Sequence, residues 1–203
     1  EIDVMAAHVA QMLESLKRVL DLPFPDRDQD AEDEIFKRER ALDNVQREVT
    51  VFLSRMLSDS VTGDVMEEGR RQLRMSHEYE SIGDYIMSIT KMNIKLVQNR
   101  LELPAEERHS LLVLRDHAQG LVAEINRVLK SRAIPDAALP GIFQPKGHKM
   151  LHLMKDFRQR HLDTFAQESH NPLMSLVYAD MLTAFRRIRD HAVNIAEILG
   201  GEK

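Results

Sequence analysis

The feature that most constrains this chain is a helical periodicity of apolar residues that recurs about six times, without the strict alternation that marks a half-buried strand. A first helix is predicted near Ile2 to Leu22, with Val4, Val9, Met12, Leu16 and Val19 on or near one stripe. It stops at Leu22-Pro23-Phe24-Pro25, where two prolines deny continuation. A second runs near Ala31 to Ser58, with Ile35, Leu42, Val45, Val49, Phe52 and Met56 inward. After Ser60-Val61-Thr62-Gly63 a third runs from about Asp64 to Arg100, turning Tyr79, Ile82, Ile86 and Ile89 inward.

Leu103-Pro104 followed by Glu106 and Glu107 restarts the helix, with proline in the first turn and acids near the positive end. This fourth helix ends near Arg132, before a loop carrying Pro135, Pro140, Gly141 and Pro145, the linker candidate of the second half. The fifth is expected over roughly Gly147 to Glu168. Asn171-Pro172 caps the sixth, which stops at Gly200-Gly201.

Composition agrees. Of 203 residues, 43% are hydrophobic and only 5% aromatic, with scarce glycine and proline, which favours helix over sheet. The chain is all-α. A formal net charge of −5 argues against a dedicated nucleic-acid binder, which needs a concentrated basic face. With no cysteine, disulfides and thiolate metal sites are excluded. No apolar run approaches the roughly 18 residues of a membrane span, so direct insertion of this segment is not expected. No signal peptide is visible, and an opening at Glu1 that already reads as helix suggests a fragment.

The helices read as two tandem three-helix bundles, residues 1–101 and 102–203. Arg18-Val19-Leu20 answers Arg127-Val128-Leu129, and His8 answers His117. Leu42-Asp43 answers Leu162-Asp163, while Ile82, Asp84 and Ile89 answer Ile188, Asp190 and Ile195. The shared order in both halves makes an internal repeat the better reading.

Carboxylates four apart project from one side of a helix. Helix two offers Glu39 and Asp43, and helix three offers Glu80 and Asp84. Two such helices side by side gather oxygen donors suited to a hard cation. The competing reading is a pair of solvated faces, with acids pairing with arginines at small benefit. Glu80 and Asp84 fall away from the stripe of Tyr79, Ile82, Ile86 and Ile89, so any metal would sit on an outer surface. A ferritin-like di-iron site, which needs inward carboxylates and Glu-x-x-His pairs, is disfavoured.

Helix six carries FRRIRDHAVNIAEIL, where Arg186, Arg187, Arg189, His191 and Asn194 form either an ordinary amphipathic face or a recognition surface for an anion or acidic partner. His148 and His152 share a face but lack a third ligand for zinc. No Gly-x-Ser-x-Gly turn and no glycine-rich phosphate loop is present.

The segments YESIGDYI and RRIRDHAVNIAE resemble the third helices of the two repeats of the PhoU family, particularly PhoU domains fused behind bacterial sodium–phosphate cotransporters. The resemblance implies two tandem three-helix bundles and a non-enzymatic role in phosphate uptake or its regulation. It implies a homo-oligomer and a membrane phosphate transporter as partner, on the cytoplasmic side of the bacterial inner membrane. It also implies iron or zinc on the outer surface, held by acid-x-x-x-Asp motifs. The first repeat keeps both motifs, Glu39 with Asp43 and Glu80 with Asp84. In the second, Gln159 precedes Asp163 and Arg186 precedes Asp190, so each motif has lost its first carboxylate, and Asp163 and Asp190 are left as that repeat's metal-ligand candidates. Two other classes stay open: a dimerisation bundle without metal, and a carboxylate-bridged metalloenzyme.

Overall fold

A computed structural model describes residues 1–22, 25–58, 63–131, 138–167 and 171–201, with side chains of 57–58 and 165–167 left aside. Six helices account for nearly all of it: α1 (Ile2–Asp21), α2 (Gln29–Ser58), α3 (Gly63–Gln98), α4 (Ala105–Ser131), α5 (Leu139–Gln167) and α6 (Pro172–Leu199). The expectations resting on Pro23, Phe24, Ser60 to Thr62, Arg132, Pro135 and Glu168 lie outside the described residues.

Local chemistry explains the ends. At α6, Asn171 Oδ1 accepts the Leu173 N–H at 2.9 Å, and Pro172 follows where its missing N–H costs nothing. The far end closes through the Gly200 N–H on the Ala196 carbonyl, with Gly201 at φ +77°. At α4 the Pro104 carbonyl accepts the Arg108 N–H at 3.0 Å, so proline stands just outside the helix and Glu106 and Glu107 occupy its first turn.

The start of α5 departs from the sequence expectation. The stretch with Pro140, Gly141 and Pro145, expected as a linker, is helical from Leu139. Pro140 falls in the first turn, where no intrahelical donor is required. Pro145 lies inside the helix on its exposed side and removes one backbone bond. Burying Leu139 and Phe143 against the core offsets that loss, at about 1.5–3 kcal/mol per side chain.

The helices form two trios, α1–α3 and α4–α6, which meet across α3 and α6, the most extensive helix contact, and across α1 and α4. One continuous core runs through both. Tyr79, Ile82, Ile86 and Ile89 are fully buried, as are Val9, Met12, Leu16, Ile35 and Leu42. Val4 and Phe52, expected inward, are exposed at 45% and 66%, because Met5 and Leu53 take the adjacent inward positions.

The trios repeat each other in burial. Buried residues of α1 at Met5, Val9, Met12, Leu16 and Val19 match Leu114, Ala118, Leu121, Ile125 and Val128 in α4, which keeps His8 opposite His117. Tyr79, Ile82 and Ile89 in α3 match Phe185, Ile188 and Ile195 in α6. In α2, Ala31, Ile35, Leu42, Val49 and Leu53 are buried at steps of four, seven, seven and four. Leu139, Phe143, Met150, Phe157 and His161 are buried at the same steps in α5. That register corrects one sequence match: Leu42 corresponds to Met150, and Leu162, at 53% exposed, cannot be its counterpart.

Candidate functional site

The middle of the α2–α3 pair is set by a glycine. A Cβ on Gly83 would lie 2.5 Å from Leu42 Cδ1, and Leu42 is fully buried. Without that Cβ the helices close in, and the next residue on each, Asp43 and Asp84, meets on the outer side of the crossing. Glu39 stands one turn from Asp43 on the same face. Oxygen atoms of Glu39, Asp43 and Asp84 all lie within 4.8 Å of one another, half-buried. Glu80 stands one turn before Asp84 and accepts a long bond, 3.4 Å, from Ser81 Oγ.

The electrostatics mark these acids as under-compensated. Burial first, then Asp43 and Asp84, push the Glu39 carboxyl above its usual range, against Lys91 and Arg40. Burial and Asp43 raise Asp84, with Lys91 opposing. Burial, then Asp84 and Asp43, raise Glu80. Among the described residues, no ion pair involves any of the four, although acids elsewhere are paired, as in Arg38–Glu34 and Arg160–Glu106. Three converging carboxylates with a fourth alongside fit a hard, oxygen-preferring cation such as ferric iron better than zinc, which favours nitrogen and sulfur donors.

The second trio lacks this arrangement. In the α5 register, Gly147 stands at the place of Glu39 and Leu151 at that of Asp43; Arg186 stands at that of Glu80. Only Asp190 persists, opposite Asp84, and it accepts Arg189 Nη1 at 2.7 Å. Asp163 is exposed, takes its hydrogen bond from Gln159 at 2.9 Å, and does not correspond to Asp43. Its sequence match followed from aligning Leu162 with Leu42, which burial overturns.

The α6 cluster divides. His191 Nδ1 lies 2.8 Å from Glu78 Oε2, Asn194 Nδ2 donates to the same oxygen at 3.0 Å, and the Tyr85 ring stacks on His191 at 5.7 Å. Both residues therefore serve the α3–α6 seam. Arg189 covers Gly147, where a Cβ would lie 2.8 Å from its Nε. Arg186 and Arg187 remain exposed. Glu78 was not singled out in sequence; its signal was a carboxylate on the α3 face one turn from Ile82. Deeper in the second trio, His161 Nδ1 lies 2.9 Å from Glu107 Oε1, a buried pair no motif announces.

Residues 2–92 match the family model described as PhoU domain. Over that span, somewhat less than half of the chain, the sequence is similar to a PhoU domain. The matched span contains Glu39, Asp43, Glu80 and Asp84 and ends before α4. The fold likeness is wider: the crystal structure of PhoU from Pseudomonas aeruginosa matches with a TM-score of 0.84 at 15% identity, over 98% of this chain and 91% of that one. All six helices thus have the PhoU fold. No curated protein matches the sequence. Among the described residues no helix is long and apolar enough to cross a membrane.

Proposed function

We propose that this chain is a non-enzymatic regulatory domain for phosphate uptake, built of two PhoU-type repeats, 1–101 and 102–203. It works by contact with a membrane phosphate transporter at the cytoplasmic face of the bacterial inner membrane, as a homo-oligomer. A sodium–phosphate cotransporter, in cis or in trans, is the partner suggested by the helix-six motif. The observation that carries the reading is that the PhoU-domain match spans the face where, among the described residues, three carboxylates converge.

The first trio holds iron in preference to zinc. Glu39, Asp43 and Asp84 supply the donors, with Glu80 as an outer carboxylate; a bound cation removes the repulsion among them and changes the charge of the outer face. Exposed Arg186 and Arg187 are the docking residues of the α6 cluster, whereas Arg189, His191 and Asn194 hold the site's scaffold.

The test is phosphate uptake in bacteria expressing the cotransporter with the intact chain, without it, or with Glu39→Gln/Asp84→Asn. Regulation predicts uptake that no longer responds to external phosphate when the chain is missing. Identical uptake in all three strains would sink the proposal. Elemental analysis of protein purified without chelator or nickel resin decides the metal separately. Stoichiometric iron absent from the variant supports it, and a metal-free, folded wild type leaves a packing-only dimerisation bundle.

A further inference from the structure

The face of the second trio that corresponds to the carboxylate cluster has the opposite charge. A groove of about 280 Å³ opens there between α5 and α6. Its floor includes the buried Met154 and Leu182, and its rim carries Lys155, Arg158 and Arg186 beside Thr183. No acid lines it. Arg186 occupies the place that Glu80 holds in the first trio, and Leu151 in the groove wall occupies that of Asp43.

The three cations also lack a carboxylate partner. Among the described residues none of them forms an ion pair, while Arg38, Arg71, Arg115, Arg160 and Arg189 each hold a carboxylate. Asp190, one turn beyond Arg186, is already taken by Arg189. Arg158 is aimed across the groove: its Nη2 donates to Thr183 Oγ1 at 3.3 Å, and that hydroxyl donates to the Ala179 carbonyl at 3.0 Å.

We propose that this groove is an anion site for a diphosphate group, either free pyrophosphate or the diphosphate of a nucleotide. Two guanidinium forks present paired donors that match phosphoryl oxygens, and Lys155 adds a mobile point charge. Three positive charges balance a diphosphate, whereas a single phosphate leaves at least one cation uncompensated. The volume is several times the roughly 30 Å³ that one water occupies in the liquid, so two phosphoryl groups fit. The repeat thus yields a cation-binding face on one trio and an anion-binding face on the other. The second does not depend on a metal at the first.

Isothermal titration of the full chain, stripped of metal, with pyrophosphate, ADP and inorganic phosphate tests this. A parallel arm offers vesicles of anionic phospholipid. Pyrophosphate or ADP should bind more tightly than inorganic phosphate, and the tighter of the two identifies the source. Arg158→Ala and Arg186→Ala should each weaken binding at least about tenfold, the loss expected for one charge-assisted contact. Both side chains are exposed, so these variants keep the fold, checked by circular dichroism. Arg160→Ala and Glu39→Gln/Asp84→Asn should bind as wild type does. The proposal is overturned by any of four results: no binding of either diphosphate at about millimolar concentration, equal loss in Arg160→Ala, loss in the carboxylate variant, or binding to vesicles alone.

Discussion

Replacing Gly83 by alanine tests whether the close crossing of α2 and α3 builds the carboxylate cluster. Two opposing effects set the outcome. Alanine inside a helix gains about 1 kcal/mol over glycine in propensity. Against this, the new Cβ lies 2.5 Å from Leu42 Cδ1, and Leu42 is fully buried with Met12 behind it at 3.7 Å from the same point. Leu42 can yield only by displacing core neighbours, an overpacking cost of about 1–3 kcal/mol. Gly120→Ala is the internal standard, since that glycine is exposed inside α4 with nothing within 4 Å of its would-be Cβ. It collects the propensity gain alone. The variants should therefore differ by about 1–3 kcal/mol, or roughly 2–12 °C in melting temperature for a chain of this size. Gly83→Ala should also weaken cation binding, because Asp43 and Asp84 move apart with their helices. If Gly83→Ala melts as high as Gly120→Ala and binds cation equally well, Leu42 has room to spare and the glycine does not position the site.

Glu39→Gln/Asp84→Asn should stabilise the metal-free protein by on the order of 1 kcal/mol per relieved pair at high effective dielectric, and its melting temperature should no longer respond to added iron. The sign with pH is fixed by the raised carboxyls: the folded state holds these protons more tightly than the unfolded one, so their contribution to stability falls as pH rises from the ordinary value of 4.5 through the folded value. The variant's advantage should therefore grow as pH rises above the ordinary carboxyl range and vanish below it, read as the difference between two thermal scans. Pro145→Ala restores a backbone donor on the exposed side of α5 and should raise stability by up to about 3 kcal/mol in urea denaturation. Asn171→Ala removes the acceptor for the Leu173 N–H and should lower it by about 1 kcal/mol, with fraying of the first turn of α6 visible in amide exchange.

The six helices were legible because each carries its own periodic stripe, and the ends at Leu103-Pro104, Asn171-Pro172 and Gly200-Gly201 were legible because caps are local chemistry. Pro140 and Pro145 misled because proline reports only the local cost of helix. The compensating burial of Leu139 and Phe143 depends on α5 packing against the rest of the core. The same limit explains Phe52, where Leu53 next to it won the inward position. Glu39, Asp43, Glu80 and Asp84 could be chosen from spacing, but their convergence required Gly83, a residue with no pattern of its own. His191 and Asn194 looked like a free polar face because Glu78 is far from them in sequence and reaches them only through the α3–α6 contact.

The difference between the trios comes from where each places a glycine at the same crossing. In the first, Gly83 belongs to α3, and its lack of a side chain lets Asp43 and Asp84 approach, with no ion pair to either among the described residues. In the second, the glycine is Gly147 on α5, and the space it vacates is filled by Arg189 from α6, whose guanidinium then neutralises Asp190. A carboxylate at the same place in the repeat is thus without an ion pair in one half and paired in the other. With Asp190 taken, Arg186 has lost the acid one turn away that would have paired with it, which keeps the rim of the α5–α6 groove positive. The two faces are therefore consequences of one packing choice: swapping it, by Gly147→Ala to displace Arg189, should free Asp190 to pair with Arg186 and weaken diphosphate binding without touching the groove wall, and unchanged binding in that variant would break the link.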